Sequence, residues 1–118
     1  MDWVEAKEIS KLADKQIKNA EAYEEARHKA ADAKVKLDLL LVAELPQIRA
    51  VKKNAGVDMA ILMLMEKSEV ARGLYKEFVE WEAKYKGLEI LIEAYATKIT
   101  LAQSQMKYLG TGEKFGHG

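Results

Sequence analysis

The sequence has no cysteine, a single proline (Pro46) and no net charge over its 118 residues. Without cysteine, disulfides and thiolate metal sites are excluded. The balanced charge excludes a protein that is basic throughout, but it allows one basic section. The longest strongly apolar run, 59–65, is far shorter than the ~20 residues that cross a bilayer, and the acidic, polar first residues are unlike a secretory signal. We therefore expect a cytoplasmic protein that has no contact with a membrane.

The C-terminal half carries apolar side chains at alternating spacings of three and four residues, and none of them is charged. This C-terminal seam consists of Ala71, Leu74, Phe78, Trp81, Tyr85, Leu88, Ile92, Tyr95, Ile99, Ala102, Met106 and Leu109. Such a repeat is typical of a long helix that buries one side against another helix. A single helix over 71–109 would be about 60 Å long, at about 1.5 Å per residue. We therefore expect an elongated molecule in which the seam residues from Leu74 to Met106 build the core and the contacts between subunits.

Good helix formers dominate the chain, and they predict helices at about 2–45, 47–54 and 59–109. Four glycines in 110–118 predict a flexible tail after a single helical domain, 1–109.

Three residues between the long helices are expected to set their ends. Pro46 has no backbone N–H and disfavours helix at the residue before it, so it should kink or end the first helix. Gly56 is expected to stop the short second helix, because glycine readily takes the left-handed conformation. Asp58 is the expected N-cap of the third helix.

Two long helices joined by a short linker are expected to pack as an antiparallel helical hairpin. The predicted fold class is therefore all-α, with a coiled-coil-like C-terminal helix whose bulky aromatic residues face small side chains of the first helix. Those facing residues are Ala26, Ala30, Ala33, Leu37 and Leu40, and the face before them comprises Trp3, Ile9, Ala13, Ile17 and Ala20. Apolar residues off the seam (Val79, Ile90, Leu91 and Leu101) cannot be covered by the same neighbour, and this excess predicts a homo-oligomer.

Residues that could carry catalysis are few. Glu25 and His28 form one Glu-x-x-His pair, but a helical metal cage needs a second pair, which is missing. Gly110 and Gly112 lack the strand–turn–helix setting of a phosphate loop. We therefore expect no enzyme, no metal and no cofactor, and a metalloenzyme remains a minor alternative.

The section 27–53 is basic, with seven Lys or Arg against three Asp or Glu. Its cations are Arg27, Lys29, Lys34, Lys36, Arg49, Lys52 and Lys53. Phosphate binding needs several such groups within reach of one backbone, and oligomerisation would multiply a weak patch. The alternative is a solvated, lysine-rich helix face, which charge alone favours. The seam aromatics are expected in the core, so Tyr23, Tyr75 and Tyr108 are the candidates for stacking on nucleic-acid bases.

Three short stretches, in order, resemble the UvsY family of recombination mediators from T-even-like phages. They are Glu-Ala-Arg-His-Lys-Ala at 25–30, Lys-Val-Lys-Leu-Asp at 34–38 and Glu-Lys-Ser-Glu at 66–69. The resemblance implies single-stranded DNA binding, assembly into ring-like oligomers, and help for a RecA-like recombinase in replacing single-strand-binding protein.

By position, the resemblance makes Lys34 and Lys36 the DNA-contacting residues. Lys36 stands where the family has arginine, so the charge is kept and the planar fork is lost. The segment 39–65 departs from the family, which has a polar stretch containing Gly and Asp there. The bend is therefore expected to be built differently, and Arg49, Lys52 and Lys53 would be additions of this chain.

Two functions stay open at this point. The first is a non-enzymatic, homo-oligomeric mediator that binds single-stranded DNA and loads a RecA-like recombinase. The second is a helical adaptor or scaffold that contacts only proteins through its apolar surfaces.

Overall fold

The structure, a computed structural model, describes the backbone of residues 6–116 and the side chains of residues 6–108. The described backbone contains three helices, α1 (Ala6–Val51), α2 (Val57–Lys67) and α3 (Glu69–Gly116). Residues 6–116 contain no strand, so the predicted all-α class is confirmed. Over the described residues, none of the helices has an apolar stretch long enough to pass through a bilayer.

The helices pack as two compact units. The first unit combines the chain up to residue 24 with the chain from residue 86, and the second unit contains residues 25–85. The second unit therefore holds the C-terminal part of α1, all of α2 and the start of α3.

The second unit has a small apolar core. Its buried residues are Leu37, Leu41, Ile48, Ala55, Ala60, Leu64 and Ala71, and half-buried Leu40, Leu45, Ile61, Met63, Met65 and Leu74 pack against them. Burial of a Leu or Ile side chain contributes about 1.5–3 kcal/mol. All three helices supply residues to this core, and α2 is held in place by Ala60 and Leu64.

Helix α1 continues through Pro46 to Val51, so the predicted end at residue 45 is wrong. Proline inside a helix removes one backbone hydrogen bond and costs about 3 kcal/mol. Leu41 and Ile48 lie two turns apart on the same face, on either side of Pro46, and both are buried. Their burial, together with that of Leu37, offsets the cost of the proline. The predicted start at residue 2 lies outside the described residues.

A break at Ser68 divides the helix that was predicted over 59–109. Helix α2 ends at Lys67 and α3 begins at Glu69, while Ser68 itself is extended, with φ −118° and ψ 115°. The Ser68 hydroxyl oxygen accepts a hydrogen bond from the backbone N–H of Ala71 at 3.1 Å. Ser68 is therefore the N-cap of α3, a role that serine fills well because it satisfies an N–H that has no partner within the helix.

The end of α2 is satisfied by two groups from beyond it. The backbone N–H of Ser68 donates to the Leu64 carbonyl oxygen at 2.9 Å. The Arg72 guanidinium donates to the Met65 carbonyl oxygen at 2.6 Å. A cation at a helix C-terminus is also favoured by the helix dipole.

The start of α2 differs from the prediction. Gly56 is the N-cap, with φ −73° and ψ 174°, and it makes no side-chain cap hydrogen bond. Asp58 lies inside the first turn, so its predicted capping role is wrong. The predicted left-handed stop is also wrong, because no described glycine has a positive φ.

At its other end, α3 continues to Gly116, through most of the segment that was predicted to be a flexible tail. Each helical glycine costs only about 1 kcal/mol relative to alanine, and every added residue brings a further backbone hydrogen bond. Residues 117–118 lie outside the described residues.

The first half of α1 presents a different face from the predicted one. Ile17 is 58% exposed, and Ala13 and Ala20 are exposed as well; Trp3 lies outside the described residues. The half-buried or buried positions form an α1 seam of Ile9, Leu12, Gln16, Asn19, Tyr23, Ala26, Ala30, Ala33 and Leu37. Their spacing alternates between three and four residues, as in a coiled coil. Two polar members, Gln16 and Asn19, concealed this period in the sequence.

Candidate nucleic-acid interface

The C-terminal seam lies along the less exposed side of α3. Ala71 and Ala102 are buried, and Leu74, Phe78, Trp81, Tyr85, Leu88, Ile92, Tyr95 and Ile99 are half-buried. Met106 is exposed, and the side chain of Leu109 lies outside the described residues. Among the described side chains, no aromatic is fully buried, and Leu37 is the largest that is. The aromatic rings therefore keep part of their surface open to solvent.

The three lysines in the middle of α1 each form an ion pair one turn away. The pairs are Lys29–Glu25 at 3.1 Å, Lys34–Asp38 at 3.2 Å and Lys36–Asp32 at 2.9 Å. Exposed pairs at this helical spacing contribute little to stability. Such weak pairs fix the lysine side chains only loosely, so they leave the ammonium groups open to competition from a stronger anion.

The acidity of Lys36 depends on its carboxylate neighbours. The hydrogen bond that the Lys36 ammonium donates to the Asp32 carboxylate, followed by the negative charge of Asp32, raises the pKa of Lys36 above its usual value, and the charge of Glu77 on α3 adds to the rise. The shift reflects the local ion pair and leaves the charge of Lys36 at neutral pH unchanged, because lysine is positively charged there in any case.

Lysines of α1 also lie over the aromatic rings of the C-terminal seam. The Lys29 ammonium is 4.4 Å from the centre of the Trp81 ring, and that of Lys34 is 5.8 Å from the centre of the Phe78 ring. Lys84, one turn after Trp81 on α3, lies 4.9 Å from the centre of the same Trp81 ring. Trp81 is thus contacted by two ammonium groups, one from each helix.

The structure does not bring Lys34 and Lys36 to one surface. Two residues apart on a helix, they point about 160° away from each other. Lys34 lies beside Phe78, whereas Lys36 pairs with Asp32 on the other side. Lys29 and Lys36 are seven residues apart and share a face. Arg27 is exposed on another side of α1.

A second group of cations surrounds the C-terminal end of α1. Arg49, Lys52 and Lys53 are exposed, and none of the three forms an ion pair with another residue in the described part of the chain. They precede the N-terminus of α2 at Gly56, where no side chain caps the helix. The end of the α1–α2 turn therefore presents positive charge without a compensating carboxylate partner.

Glu25, the acid of the Glu-x-x-His pair, is used in the ion pair with Lys29. Over the described side chains, no three His, Asp or Glu residues come together in a group that could hold a metal ion.

Comparisons of the chain with protein-family models, with curated proteins and with solved structures found no match. The site must therefore be interpreted from its own geometry.

The sequence-based interpretation overlooked Lys84 and treated Trp81 as a core residue alone. A signal was present: Lys84 follows Trp81 by three residues, and side chains at this spacing are neighbours on a helix. The contact with Lys29 could not be predicted, because it depends on how α1 and α3 pack within the second unit.

Proposed function

We propose that this protein binds single-stranded DNA without sequence preference and acts as a homo-oligomeric recombination mediator. The observation that carries the proposal is the distribution of cations along α1. Lys29, Lys34 and Lys36 have only weak local partners, and three more cations around Arg49 to Lys53 are unpaired within the described residues. Six ammonium or guanidinium groups with so little internal compensation suit a flexible polyanion, because phosphate binding is driven by several contacts that each release counterions.

The role in loading a RecA-like recombinase, in place of single-strand-binding protein, rests on the resemblance of 25–38 and 66–69 to the UvsY family. Weak DNA contacts without sequence preference suit this role, because a mediator has to hold the strand and then release it to the recombinase.

We also propose that α1 and α3 pack as an antiparallel hairpin. In the second unit, Lys29 contacts Trp81 and Lys34, five residues later, contacts Phe78, which is earlier in α3. In the first unit, the side-chain amide of Gln16 donates to the Ile92 carbonyl oxygen at 2.8 Å. Leu12, which is earlier in α1, lines a surface depression with Ala102, which is later in α3. Within each unit, the order of these pairs supports opposite directions of α1 and α3.

The proposed self-association uses an outer stripe of α1, made of Val35, Leu39 and Val42. These side chains are 55%, 65% and 68% exposed. Their spacing of four and then three residues aligns them on one helix face, which is directed away from the face that carries Leu37 and Leu41. Covering each of them would contribute about 1.5–3 kcal/mol. We propose a second copy of this chain, in a ring or a smaller closed assembly, as the partner of the stripe.

The rim of the outer stripe suits contact between identical copies. Asp32 and Lys36 lie on one side of it and Lys34 and Asp38 on the other, each as an ion pair. Each side is neutral, so two copies meet without like-charge repulsion. Assembly would also repeat the cations of α1 and strengthen DNA binding by avidity.

Fluorescence anisotropy with a labelled oligothymidylate tests the DNA-binding proposal. We expect the Lys34→Ala/Lys36→Ala double variant to bind more weakly. The matched control is Lys15→Ala/Lys18→Ala, which removes two exposed lysines of α1 outside the basic section and should bind like the native chain. Equal affinities of the native chain and the Lys34→Ala/Lys36→Ala variant would reject these two residues as DNA contacts.

The outer stripe equally favours a second function, that of an adaptor that docks another protein through α1. This alternative predicts no affinity for the oligothymidylate at any concentration of the protein. The same anisotropy titration therefore separates the two functions.

A further inference from the structure

We propose that Trp81 is a stacking platform for one nucleobase of the bound strand, with Lys29 and Lys84 as the phosphate contacts on either side of it. This inference rests on the proposed single-stranded DNA binding and adds to it a base-binding site. The site lies within the second unit and joins α1 to α3.

The Trp81 ring is accessible from solvent. It is half-buried, and with Glu80 and Lys84 it lines an open surface depression of about 240 Å³. The ends of two flexible lysine side chains lie near the ring. A flat ligand that enters the depression can displace an ammonium group to reach the open part of the ring.

We expect a nucleobase to replace an ammonium group over the Trp81 ring favourably. A lysine over a partly exposed aromatic ring is held weakly, whereas a base stacked on an aromatic side chain is held more strongly, whichever base it is. A base that replaces an ammonium group over Trp81 leaves that group free to bind the neighbouring phosphate. The lysine thereby replaces its contact with the Trp81 ring by an ion pair with a phosphate, so its ammonium group keeps a partner.

Two carboxylates in the neighbourhood of Trp81 lie close to lysines. Glu25 pairs with Lys29 at 3.1 Å, and Glu80 lies 3.9 Å from Lys76. Lys84 forms no ion pair with any residue in the described ranges, and its ring contact is the one it makes with Trp81. It is therefore the cation most available to a phosphate at this site.

The site also continues toward the DNA-binding residues that the sequence predicted. Lys36 shares a face of α1 with Lys29 and lies about 10 Å further along the helix, at about 1.5 Å per residue. Glu77, one turn before Trp81 on α3, is close enough to Lys36 to influence it. A strand whose base stacks on Trp81 therefore has Lys29 and then Lys36 along its path, while Lys34 faces another side.

This placement gives the strand a stacking contact that is tolerant of sequence. Every base has a flat face, so one tryptophan accepts any of them. The site thus supplies affinity for unpaired bases, which a double helix keeps stacked and out of reach. Preference for single strands over duplex follows from this geometry without any reading of base edges.

Tryptophan fluorescence tests the inference directly. The chain has two tryptophans, so a Trp3→Phe background leaves Trp81 as the sole tryptophan, whose emission is excited selectively over that of tyrosine. Titration with a dye-free oligothymidylate should quench Trp81 emission and saturate at the concentration where anisotropy saturates. An abasic oligomer of equal length should bind more weakly and leave the emission unchanged.

Substitution separates stacking from folding. Trp81→Ala should weaken oligothymidylate binding at least about fivefold while abasic binding changes little, and Trp81→Phe should retain most of the affinity. Lys84→Ala should weaken binding to both oligomers, whereas Lys67→Ala, an exposed lysine of α2, should not. If circular dichroism shows that Trp81→Ala has lost helicity, the inference is tested instead by the affinity of Trp81→Phe and by the emission of Trp81 in the Trp3→Phe background.

The outcomes distinguish this inference from the function on which it rests. Anisotropy that shows binding while Trp81 emission stays constant would overturn the stacking site and leave DNA binding intact. Absence of binding by anisotropy would overturn both.

Discussion

The hydroxyl oxygen of Ser68 accepts a hydrogen bond from the backbone N–H of Ala71 at 3.1 Å. This contact starts α3 at Glu69, and Ser68 is the single residue between the end of α2 and the start of α3. Because Ser68 is extended, α2 can leave the line of α3 and cover the core with Ala60 and Leu64. A single side chain thus allows three helices, in place of two, to enclose the second unit.

Replacing Ser68 with alanine should lower the free energy of unfolding by about 1 kcal/mol, because the Ala71 N–H then loses its partner. Ser68→Asp should retain most of the stability, since aspartate is an equally good N-cap. Urea denaturation followed by circular dichroism measures both. Ser104→Ala, at an exposed position inside α3, is the control and should be neutral. An equally neutral Ser68→Ala would show that the break does not depend on this cap.

Pro46→Ala should stabilise the protein. Alanine restores the backbone N–H that proline lacks within α1, and its helix propensity is about 3 kcal/mol more favourable. The unfolded chain gains freedom when proline is removed, which subtracts about 0.4–1 kcal/mol. We expect a net gain of roughly 2 kcal/mol, measured as an increased midpoint of thermal unfolding. A decrease would mean that the core residues on either side of Pro46 need the geometry that proline imposes.

The outer stripe should control self-association. Leu39→Glu places a charge in the middle of the stripe, where a second copy would have to bury it unpaired. Light scattering should therefore show a lower mass than for the native chain, with helicity unchanged. The matched control is Leu62→Glu, a similarly exposed leucine on α2, which should keep the native mass. A native chain that is monomeric would contradict the proposed assembly, and a Leu39→Glu variant with native mass would reject the stripe.

Removing the partner of Lys36 should strengthen DNA binding. Asp32→Asn frees the Lys36 ammonium from its pair at 2.9 Å and removes one negative charge. We expect roughly two- to fivefold tighter binding of oligothymidylate, the equivalent of one surface ion pair. Weaker binding would mean that Asp32 orients Lys36 for its phosphate.

The same ion pair has a defined pH dependence. Because Asp32 raises the pKa of Lys36, the pair stabilises the folded chain below the ordinary lysine pKa and is lost as the pH rises through the raised value. Near neutral pH, Lys36 is therefore fully charged in both the native chain and the Asp32→Asn variant. Affinities measured at that pH compare the two proteins without a difference in the protonation of Lys36.

Much of the helical architecture could be predicted from the sequence. The apolar residues of α3 recur without a polar interruption, and their period gives the helix and its less exposed side directly. In α1 the period passes through Gln16 and Asn19, so the predicted face followed Ile17 instead. There, tertiary packing within the first unit decides which residues are covered, and a hydrogen bond to Ile92 accommodates Gln16.

The helix ends were harder to predict, because local signals compete with packing. Pro46 is a strong stop signal, yet burial of Leu41 and Ile48 carries α1 past it. Ser68 is a weak signal in a sequence rich in helix formers, yet it starts a helix. For the candidate site, charge clustering gave the lysines, whereas their contacts with Trp81 and Phe78 required the three-dimensional arrangement.

The salt dependence of oligothymidylate binding tests the central claim most directly. Each phosphate contact to a single strand contributes about −0.7 to the slope of log affinity against log salt concentration. With three or more cations of α1 engaged, we predict a slope of about −2 or steeper. Replacing both Lys34 and Lys36 with alanine should make this slope shallower. The change should be about 0.7 for each phosphate that these two lysines neutralise in the native chain. A flat slope for the native chain, or no measurable binding at low salt, would contradict the account.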